Sequence, residues 1–232
     1  MPDLLPLFLN LTGRAVLLVG GGRVASAKLQ QLLAAGARVR VVAPEICEDI
    51  LAVVARDESP VVEAARRGFT PADLDGAWLV VAAATPAVNR QVAEVAETQR
   101  VFVNAVDDPE NASAFLSGVV RRDGVTLAIS TSGDAPALTS LLREGLDALL
   151  PRDLASWVWQ ARAERVAWRR DGVPMEQRKP RLLRALNAIY ATAEHAEHSE
   201  HSEQEAFAAS APSATDRGPH VPWLNAPEDS WL

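Results

Sequence analysis

The sequence has little of what secreted, membrane-spanning and nucleic-acid-binding proteins need. It contains one cysteine, Cys47, so no internal disulfide can form and folding does not depend on an oxidising compartment. No apolar run approaches the roughly 18 residues of a membrane span, and the first residues, MPDLLPLFLNLTGR, have no basic region ahead of their apolar ones. The formal net charge of −7 argues against general binding to nucleic acid, which depends on neutralising phosphates. We therefore expect a soluble, cytoplasmic protein without a membrane or nucleic-acid partner.

The first part of the chain, residues 1–112, alternates between strand-like and helix-like patterns. Residues 15–19 (AVLLV) are typical of a strand buried on both faces, and residues 24–35 place apolar side chains at helical spacing. Further strands are predicted at 37–45, 59–65, 77–84 and 101–106. A helix capped by Thr85, with Pro86 in its first turn, is predicted to follow the fourth strand. This alternation predicts an α/β domain with a parallel sheet that helices cover on both faces.

The pattern changes after residue 112. Residues 114–131 contain two strand-like runs joined at Asp123-Gly124, a dipeptide that favours tight hairpin turns. Helical segments are predicted at about 135–149, 151–171 and 175–194. From His195 the sequence is polar and of low complexity, which predicts a disordered tail. The predicted segments are therefore 1–112, 113–150, 151–194 and 195–232.

Three consecutive glycines stand between the first predicted strand and the first predicted helix. Residues 20–25 (GGGRVA) fit the pattern G-x-G-x-x-A, which binds dinucleotides when it joins a strand to a helix. In that pattern Gly20 allows the tight turn, Gly22 lets the backbone approach a pyrophosphate, and Ala25 permits close helix–strand packing. The alternative is a turn that merely tolerates glycine. The context favours a Rossmann-type sheet whose phosphate-binding residues are Gly20, Gly21, Gly22, Arg23 and Val24.

The ends of the neighbouring strands supply the other candidate cofactor residues. A carboxylate at the end of the second strand typically holds the ribose of NAD, and here that strand ends at Pro44 and Glu45. The alternative role for Glu45 is an acid at the start of the next helix. No arginine follows this strand end directly, so NAD is predicted rather than NADP, although Arg23 and Lys28 could both lie near the phosphates. Room for the cofactor is expected at the small residues Ala83, Ala84 and Thr85.

Several stretches together resemble one family, the N-terminal precorrin-2 dehydrogenase module of siroheme synthases, which also occurs as a stand-alone protein. They are LPLFLNLTGRAVLLVGGGRVASAKLQQLLAAGARVRVVAPE, DLDGAWLVVAAATPAVNRQVAEVA and FVNAVDDPENASAFLSGVVRRDGVTLAISTSGDAPALTSLLRE, which cover nearly all of residues 4–150. The resemblance implies oxidation of precorrin-2, a macrocycle bearing eight carboxylates, to sirohydrochlorin with NAD. In some members ferrous iron is then inserted to give siroheme. The resemblance also implies an intertwined homodimer that makes its contact through residues 113–150.

Asp107 follows the predicted strand 101–106 and matches the aspartate that the family uses in the sequence VNAVD. The resemblance therefore implies that Asp107 is the catalytic base. From the residues alone, the alternative is a turn aspartate ahead of Asp108-Pro109 that caps a short helix. Asn104 is predicted to hydrogen-bond the cofactor or the substrate, with a turn-forming role as its alternative.

The stretch STSGDAP, residues 130–136, resembles the family's serine- and glycine-rich loop. The resemblance implies that Thr131, Ser132 and Gly133 offer hydroxyls and main-chain donors to substrate carboxylates. Thr131 stands where some relatives carry a serine. The alternative is a capping loop in which Asp134 caps the next helix. A substrate with eight carboxylates also needs cations, and the candidates are Arg121, Arg122, Arg143, Arg178, Lys179 and Arg181, of which Arg121 and Arg143 are preferred.

The residues leave three other functions open. One is a dehydrogenase without the metal step, and the substrate metal of a chelating member would be ferrous iron or cobalt. Another is a non-catalytic NAD-binding redox sensor. The third is an unrelated dehydrogenase, against which the sequence argues because Tyr190, the only tyrosine, has no lysine after it and every histidine lies in the tail.

The tail itself carries two unusual features. Its histidines at 195, 198 and 201 would share a helical face that could hold a metal, but the predicted disorder speaks against a metal site. Trp223 and Trp231 stand in polar surroundings and would suit a docking peptide.

Overall fold

The computed structural model describes residues 4–56, 61–116 and 118–204, with side chains described as far as residue 190. The chain forms two compact units. The first extends to Gly118 and includes Ile129–Ser140. The second consists of Val119–Ala128 and of the described residues from Leu141 to Gln204.

A five-stranded parallel sheet, in the order β3-β2-β1-β4-β5, forms the centre of the first unit. Its strands are β1 (Ala15–Val19), β2 (Arg38–Val42), β3 (Val62–Ala65), β4 (Leu79–Ala82) and β5 (Phe102–Ala105). The α-helices of this unit are α1 (Arg23–Ala34), α2 (Glu48–Arg56) and α3 (Pro86–Gln99). The strand order reverses between β1 and β4, which is the place where open α/β sheets bind ligands. The structure confirms the predicted Rossmann-type sheet.

The two faces of the sheet carry separate apolar cores, because successive side chains of a strand point to opposite faces. Val16 and Leu18 of β1 pack with Ala25 and Leu29 of α1 on one face. Leu17 packs on the other face, in a core that includes buried residues of α3. Burial on both sides explains why β1 is a continuous apolar run.

The predicted helical cover is incomplete over β2 and β3, although Val42 of β2 is buried in the core that includes residues of α3. The connection from β3 to β4, which the structure describes in full, contains a short 3₁₀ turn at Pro71–Leu74 in place of an α-helix. Arg40 and Glu63 consequently form a solvent-exposed ion pair on the open face. A cavity of about 290 Å³ lies beside them near the amino ends of the strands. This cavity is at the opposite edge of the sheet from the glycine turn, so it is not the predicted cofactor site.

A hairpin and three helices follow the sheet. Strands β6 (Gly118–Arg122) and β7 (Val125–Ile129) meet at Asp123 and Gly124, whose φ angles of 50° and 85° are those of a tight hairpin turn. The predicted hairpin is therefore confirmed. The helices are α4 (Pro136–Leu149), α5 (Leu154–Arg170) and α6 (Met175–Gln204).

Helices α5 and α6 pack around Leu154, Trp157 and Leu186. The Tyr190 hydroxyl accepts a hydrogen bond from Trp157 Nε1 at 2.7 Å and donates one to Asp153 Oδ1 at 2.9 Å. Burial, with a smaller effect of the Asp153 hydrogen bond, raises the pKa of Tyr190 to about 12. The only tyrosine therefore has a structural role and stays neutral.

Helix α6 continues past the predicted end at residue 194 to Gln204. Residues 195–204 contain no glycine or proline and include alanine and glutamate, which are strong helix formers. Extending an existing helix also needs no new nucleus. The predicted disorder is therefore wrong for the backbone of 195–204. The histidine side chains at 195, 198 and 201, and all of residues 205–232 with their two tryptophans, lie outside the described residues.

None of the helices within the described part of the chain combines the length and the apolar character that crossing a bilayer requires.

Candidate functional site

The glycine turn after β1 is wedged between the ends of the two neighbouring strands. Gly20 has a φ of +127°, and a side chain there would collide with the carbonyl oxygen of Ala83 after β4. A side chain on Gly21 would collide with the carbonyl oxygen of Glu45 after β2. The Gly21 carbonyl also accepts a hydrogen bond from the Cys47 N–H at 2.8 Å. The sequence pattern treats the second glycine as free to vary, so only the structure shows why Gly21 is a glycine.

Gly22 differs from the two glycines before it. It has an extended backbone, and a Cβ built on it would have no heavy atom within 4 Å. Gly22 is also the N-cap of α1, whose first N–H groups have no partner inside the helix. Ala25, one turn further on, is completely buried against the sheet, as predicted. The open space above a free helix N-terminus fits a diphosphate group, since unpaired N–H groups and the helix dipole attract anions.

The predicted contacts on either side of the glycines lie at the same edge of the sheet. Pro44 and Glu45 follow β2, and Ala84 and Thr85 follow β4, and all four are exposed. Ala83 is half-buried beneath them. Because β1 is paired with both strands, the structure places these residues on either side of the glycine turn. Arg23 and Val24 are exposed on the first turn of α1. Cofactor contact by these residues stays a prediction.

Asn89 positions the loop after β4, a role that the sequence patterns do not predict. The prediction that Thr85 caps α3 is correct for its backbone position, but its hydroxyl makes no capping bond. Instead the Asn89 side chain, which is 3% exposed, accepts a hydrogen bond from the Ala84 N–H at 3.1 Å. One sequence signal could have revealed this role of Asn89. It is an asparagine in the first turns of a helix that begins with proline.

We expect Asn89→Ala to destabilise the protein by about 1–3 kcal/mol, because the Ala84 N–H loses its buried acceptor. Urea unfolding measures this loss. Thr85→Ala is the matched control, since the exposed Thr85 hydroxyl makes no capping bond and its loss should leave stability within about 0.5 kcal/mol. If Asn89→Ala unfolds at the same urea concentration as the wild type, the side chain does not hold the loop.

Asp107 follows β5 in the left-handed region, with a φ of 57°. Aspartate tolerates this conformation better than most residues do. Its side chain is exposed and makes no hydrogen bond to any residue that the structure describes. The short 3₁₀ turn at Pro109–Asn111 begins after Asp108, whose carboxylate accepts hydrogen bonds from Asn111 Nδ2 at 2.9 Å. The alternative role in local structure therefore belongs to Asp108, which leaves the Asp107 carboxylate available to a ligand.

Asn104 lies inside β5, so it is not a turn former. Its side-chain amide donates a hydrogen bond to the Ala114 carbonyl at 2.9 Å. Its Oδ1 is buried and has no hydrogen-bond partner. A buried acceptor without a donor is costly, so this atom is suited to receive a donor from a bound molecule.

The loop at residues 130–136 is held by Thr131. The Thr131 hydroxyl accepts a hydrogen bond from the Ala135 N–H at 3.2 Å and shares another with the Thr139 hydroxyl at 2.9 Å. Thr131 therefore holds the residue before α4 and contacts the Thr139 side chain of its first turn, and no hydrogen bond shows the predicted capping role of Asp134 among the described residues. This hydroxyl already makes two hydrogen bonds within the loop and α4. Its contact with the substrate stays a prediction and would have to use the remaining lone pair of the hydroxyl oxygen.

The next two residues bring the loop close to the segment after Asp107. Ser132 and Gly133 have φ angles of 54° and 88°. A Cβ on Gly133 would lie 3.1 Å from the Pro109 Cβ. The structure thus brings together two stretches that are more than 20 residues apart in the sequence. The substrate contacts of Ser132 and Gly133 stay a prediction.

The candidate arginines belong to the second unit. Arg121 is exposed, and Arg143 forms an exposed ion pair with Glu144 at 3.3 Å. Arg122 is engaged in structure, since it donates hydrogen bonds to the Asp147 carboxylate at 2.6 Å and to the Leu150 carbonyl. Roles of Arg121 and Arg143 in substrate binding stay predictions.

Lys28 of α1 is half-buried near Asp107. Burial lowers the pKa of Lys28, and the negative charge of the Asp107 carboxylate partly opposes this effect. No group of three or more metal-ligating side chains occurs among the residues whose side chains the structure describes.

Comparisons with known proteins agree with this geometry. Residues 7–118 match a family described as putative NAD(P)-binding. The chain is 43% identical over 155 residues to a siroheme synthase of Photorhabdus laumondii, covering 66% of this chain and 32% of that protein. It is 48% identical over 153 residues to siroheme synthase 2 of Aeromonas salmonicida, covering 66% and 31%. The chain thus spans about a third of the length of these relatives.

A solved structure, that of SirC, a precorrin-2 dehydrogenase, resembles this chain with a TM-score of 0.58. The two are 24% identical, and the match covers 77% of this chain and 87% of SirC. At that identity the likeness shows the fold. Together these findings show that the chain is similar to one part of the siroheme synthases and that residues 7–118 match a putative NAD(P)-binding domain.

Proposed function

We propose that this chain oxidises precorrin-2 to sirohydrochlorin with NAD as the oxidant. The observation that carries the proposal is an unengaged carboxylate, Asp107, at the same sheet edge as an open glycine turn. The siroheme synthases to which the chain is similar support the choice of substrate.

The glycine turn and the strand ends beside it would hold the cofactor. Main-chain N–H groups at the start of α1 would bind its diphosphate in the space above Gly22. Glu45 would accept hydrogen bonds from the ribose hydroxyls, as predicted from its place after β2. Bound NAD supplies a hydride acceptor, which is the chemistry that no side chain can provide.

Asp107 would act as the base. Oxidation removes a hydride and a proton from precorrin-2, so the products are sirohydrochlorin, NADH and one proton. The Asp107 carboxylate would take that proton, because it is exposed at the sheet edge and is not engaged by any residue that the structure describes.

An anaerobic assay with precorrin-2 and NAD tests the proposal. Purified protein should form NADH and sirohydrochlorin in equal amounts. Tight NAD binding without turnover would instead support the redox-sensor alternative. A second arm, with sirohydrochlorin and ferrous iron or cobalt, tests the predicted metal insertion, and no product above the uncatalysed rate would remove it. A cytoplasmic location, where NAD is available, suits this reaction.

We also propose that α4 forms a homodimer contact. Its leucines at positions 138, 141, 142, 146 and 149 recur at helical spacing and are 36–68% exposed in the single chain. Five exposed leucines on one helix form a contiguous apolar surface that is larger than the surface of single exposed apolar residues. A second copy would cover the stripe with its own, as in most symmetric oligomers.

We expect Leu141→Glu to convert the dimer to a monomer, because a charge in an apolar contact loses its hydration without gaining a partner. Analytical ultracentrifugation measures the change. Glu144→Gln, a polar change on the same helix, should leave the assembly intact. A wild-type protein that sediments as a monomer would contradict the proposal.

A further inference from the structure

Lys28 is a positively charged residue at a half-buried position, where loss of hydration is unfavourable. It follows Ala25 by three residues and precedes Leu29, and both of these are fully buried in the core beneath α1. Lys28 itself is half-buried, yet it has no hydrogen bond or ion pair with any residue that the structure describes. Partial burial of an ammonium without a partner is unfavourable. The residue therefore has a charge available for a ligand.

The negative charge that Lys28 faces is that of Asp107. Val106, the residue before Asp107, packs against the same apolar cluster as Ala25 and Leu29, so the end of β5 and α1 contribute to one core. The two charges attract each other but do not meet in an ion pair within 4 Å. A ligand between them could use both charges.

Asn104 adds a third polar group on this face of the sheet, and its Oδ1 lacks a hydrogen-bond partner although its amide nitrogen donates to Ala114. It precedes Val106 by two residues on the strand side that faces α1, because side chains alternate along a strand. Asn104 is 6% exposed, and its Oδ1 has no donor. A cation, an anion and a buried acceptor together suit a molecule that carries both acidic groups and N–H donors. A tetrapyrrole with carboxylate side chains has both.

We propose that Lys28 binds a carboxylate of the tetrapyrrole substrate beside Asp107, an inference that rests on the proposed function. The cofactor's diphosphate is a less suitable partner for this ammonium. Lys28 stands six residues after Gly22, which is about 9 Å along the helix axis at about 1.5 Å per residue. The space above Gly22 already has the helix N-terminus to neutralise the diphosphate.

The test compares Lys28→Met with Lys28→Arg, which keeps the charge, and with Lys28→Met/Gln30→Lys. The double variant keeps the net charge but places the ammonium at an exposed position on the other side of α1. Uroporphyrin, a porphyrin with eight carboxylates, is the probe, and quenching of tryptophan fluorescence measures its binding. NAD affinity and the KM for precorrin-2 are measured on the same proteins.

We expect Lys28→Met to weaken uroporphyrin binding about 10- to 100-fold, the usual loss for a charged hydrogen bond. The KM for precorrin-2 should rise with it, whereas NAD affinity should stay within about twofold. Lys28→Arg should restore most of the binding, and the double variant should not. Unchanged uroporphyrin binding in Lys28→Met, or a loss confined to NAD, would overturn the inference. Lys28-dependent binding without precorrin-2 turnover in the wild type would uphold it and overturn the proposed function.

Discussion

Asp107→Asn should lower the rate of precorrin-2 oxidation by about 100- to 10,000-fold, the usual contribution of a positioned base. The amide cannot take the proton, but it has the same shape and tolerates the left-handed backbone at this position. Alanine is a poorer test, because it would add strain at a φ of 57°. The measurement is NADH formation under anaerobic conditions.

The neighbouring aspartate is the matched control for this experiment. Asp108→Asn alters a carboxylate that contacts Asn111, so it should affect the local turn and leave the rate within about fivefold of the wild type. NAD affinity and urea unfolding should be unchanged in Asp107→Asn, since that carboxylate makes no hydrogen bond to any residue in the described ranges. Turnover above about a tenth of the wild-type rate in Asp107→Asn would exclude Asp107 as the base.

Adding one methyl group to the glycine turn should mainly lower stability at Gly21 and mainly lower NAD affinity at Gly22. Gly21→Ala should destabilise the protein by more than about 3 kcal/mol, because the new Cβ overlaps the Glu45 backbone, which cannot move independently of the sheet. Gly22→Ala should cost about 1 kcal/mol or less, since its Cβ meets open space and only the capping preference changes. The methyl group would instead occupy the space proposed for the diphosphate, and NAD affinity should fall by about 100-fold or more.

Two measurements on each variant separate the effect on stability from the effect on NAD affinity. Urea unfolding reports stability, and calorimetric titration with NAD reports affinity. Gly68→Ala is a control, because its Cβ also meets open space but lies outside the glycine turn. If Gly22→Ala binds NAD as tightly as the wild type, the open space above α1 is not the diphosphate site. If Gly21→Ala is as stable as the wild type, the turn is not wedged against β2.

Features that depend on residues near one another in the chain could be predicted from the sequence. The five strands and their helices follow from the spacing of apolar residues, and Asp123-Gly124 determines the hairpin turn by its own conformational preferences. The glycine turn was recognisable because its three residues stand together between a strand and a helix. The C-terminal end of α6 could not be predicted from the sequence, because a polar composition is equally typical of a disordered segment and of a solvent-exposed helix.

Contacts between stretches that are distant in the chain decided which residues come together at the candidate site. The backbone of Glu45 makes Gly21 a glycine, and the fold brings Asp107 close enough to Lys28 of α1 for their charges to interact. Local sequence also does not tell which of several neighbouring polar side chains holds a loop, and here the Thr131 hydroxyl binds the Ala135 N–H ahead of α4. The sequence by itself determined which elements form and where a dinucleotide could bind. Only the tertiary structure decided which polar groups satisfy each other and which remain for a ligand, because that choice depends on distances that folding alone creates.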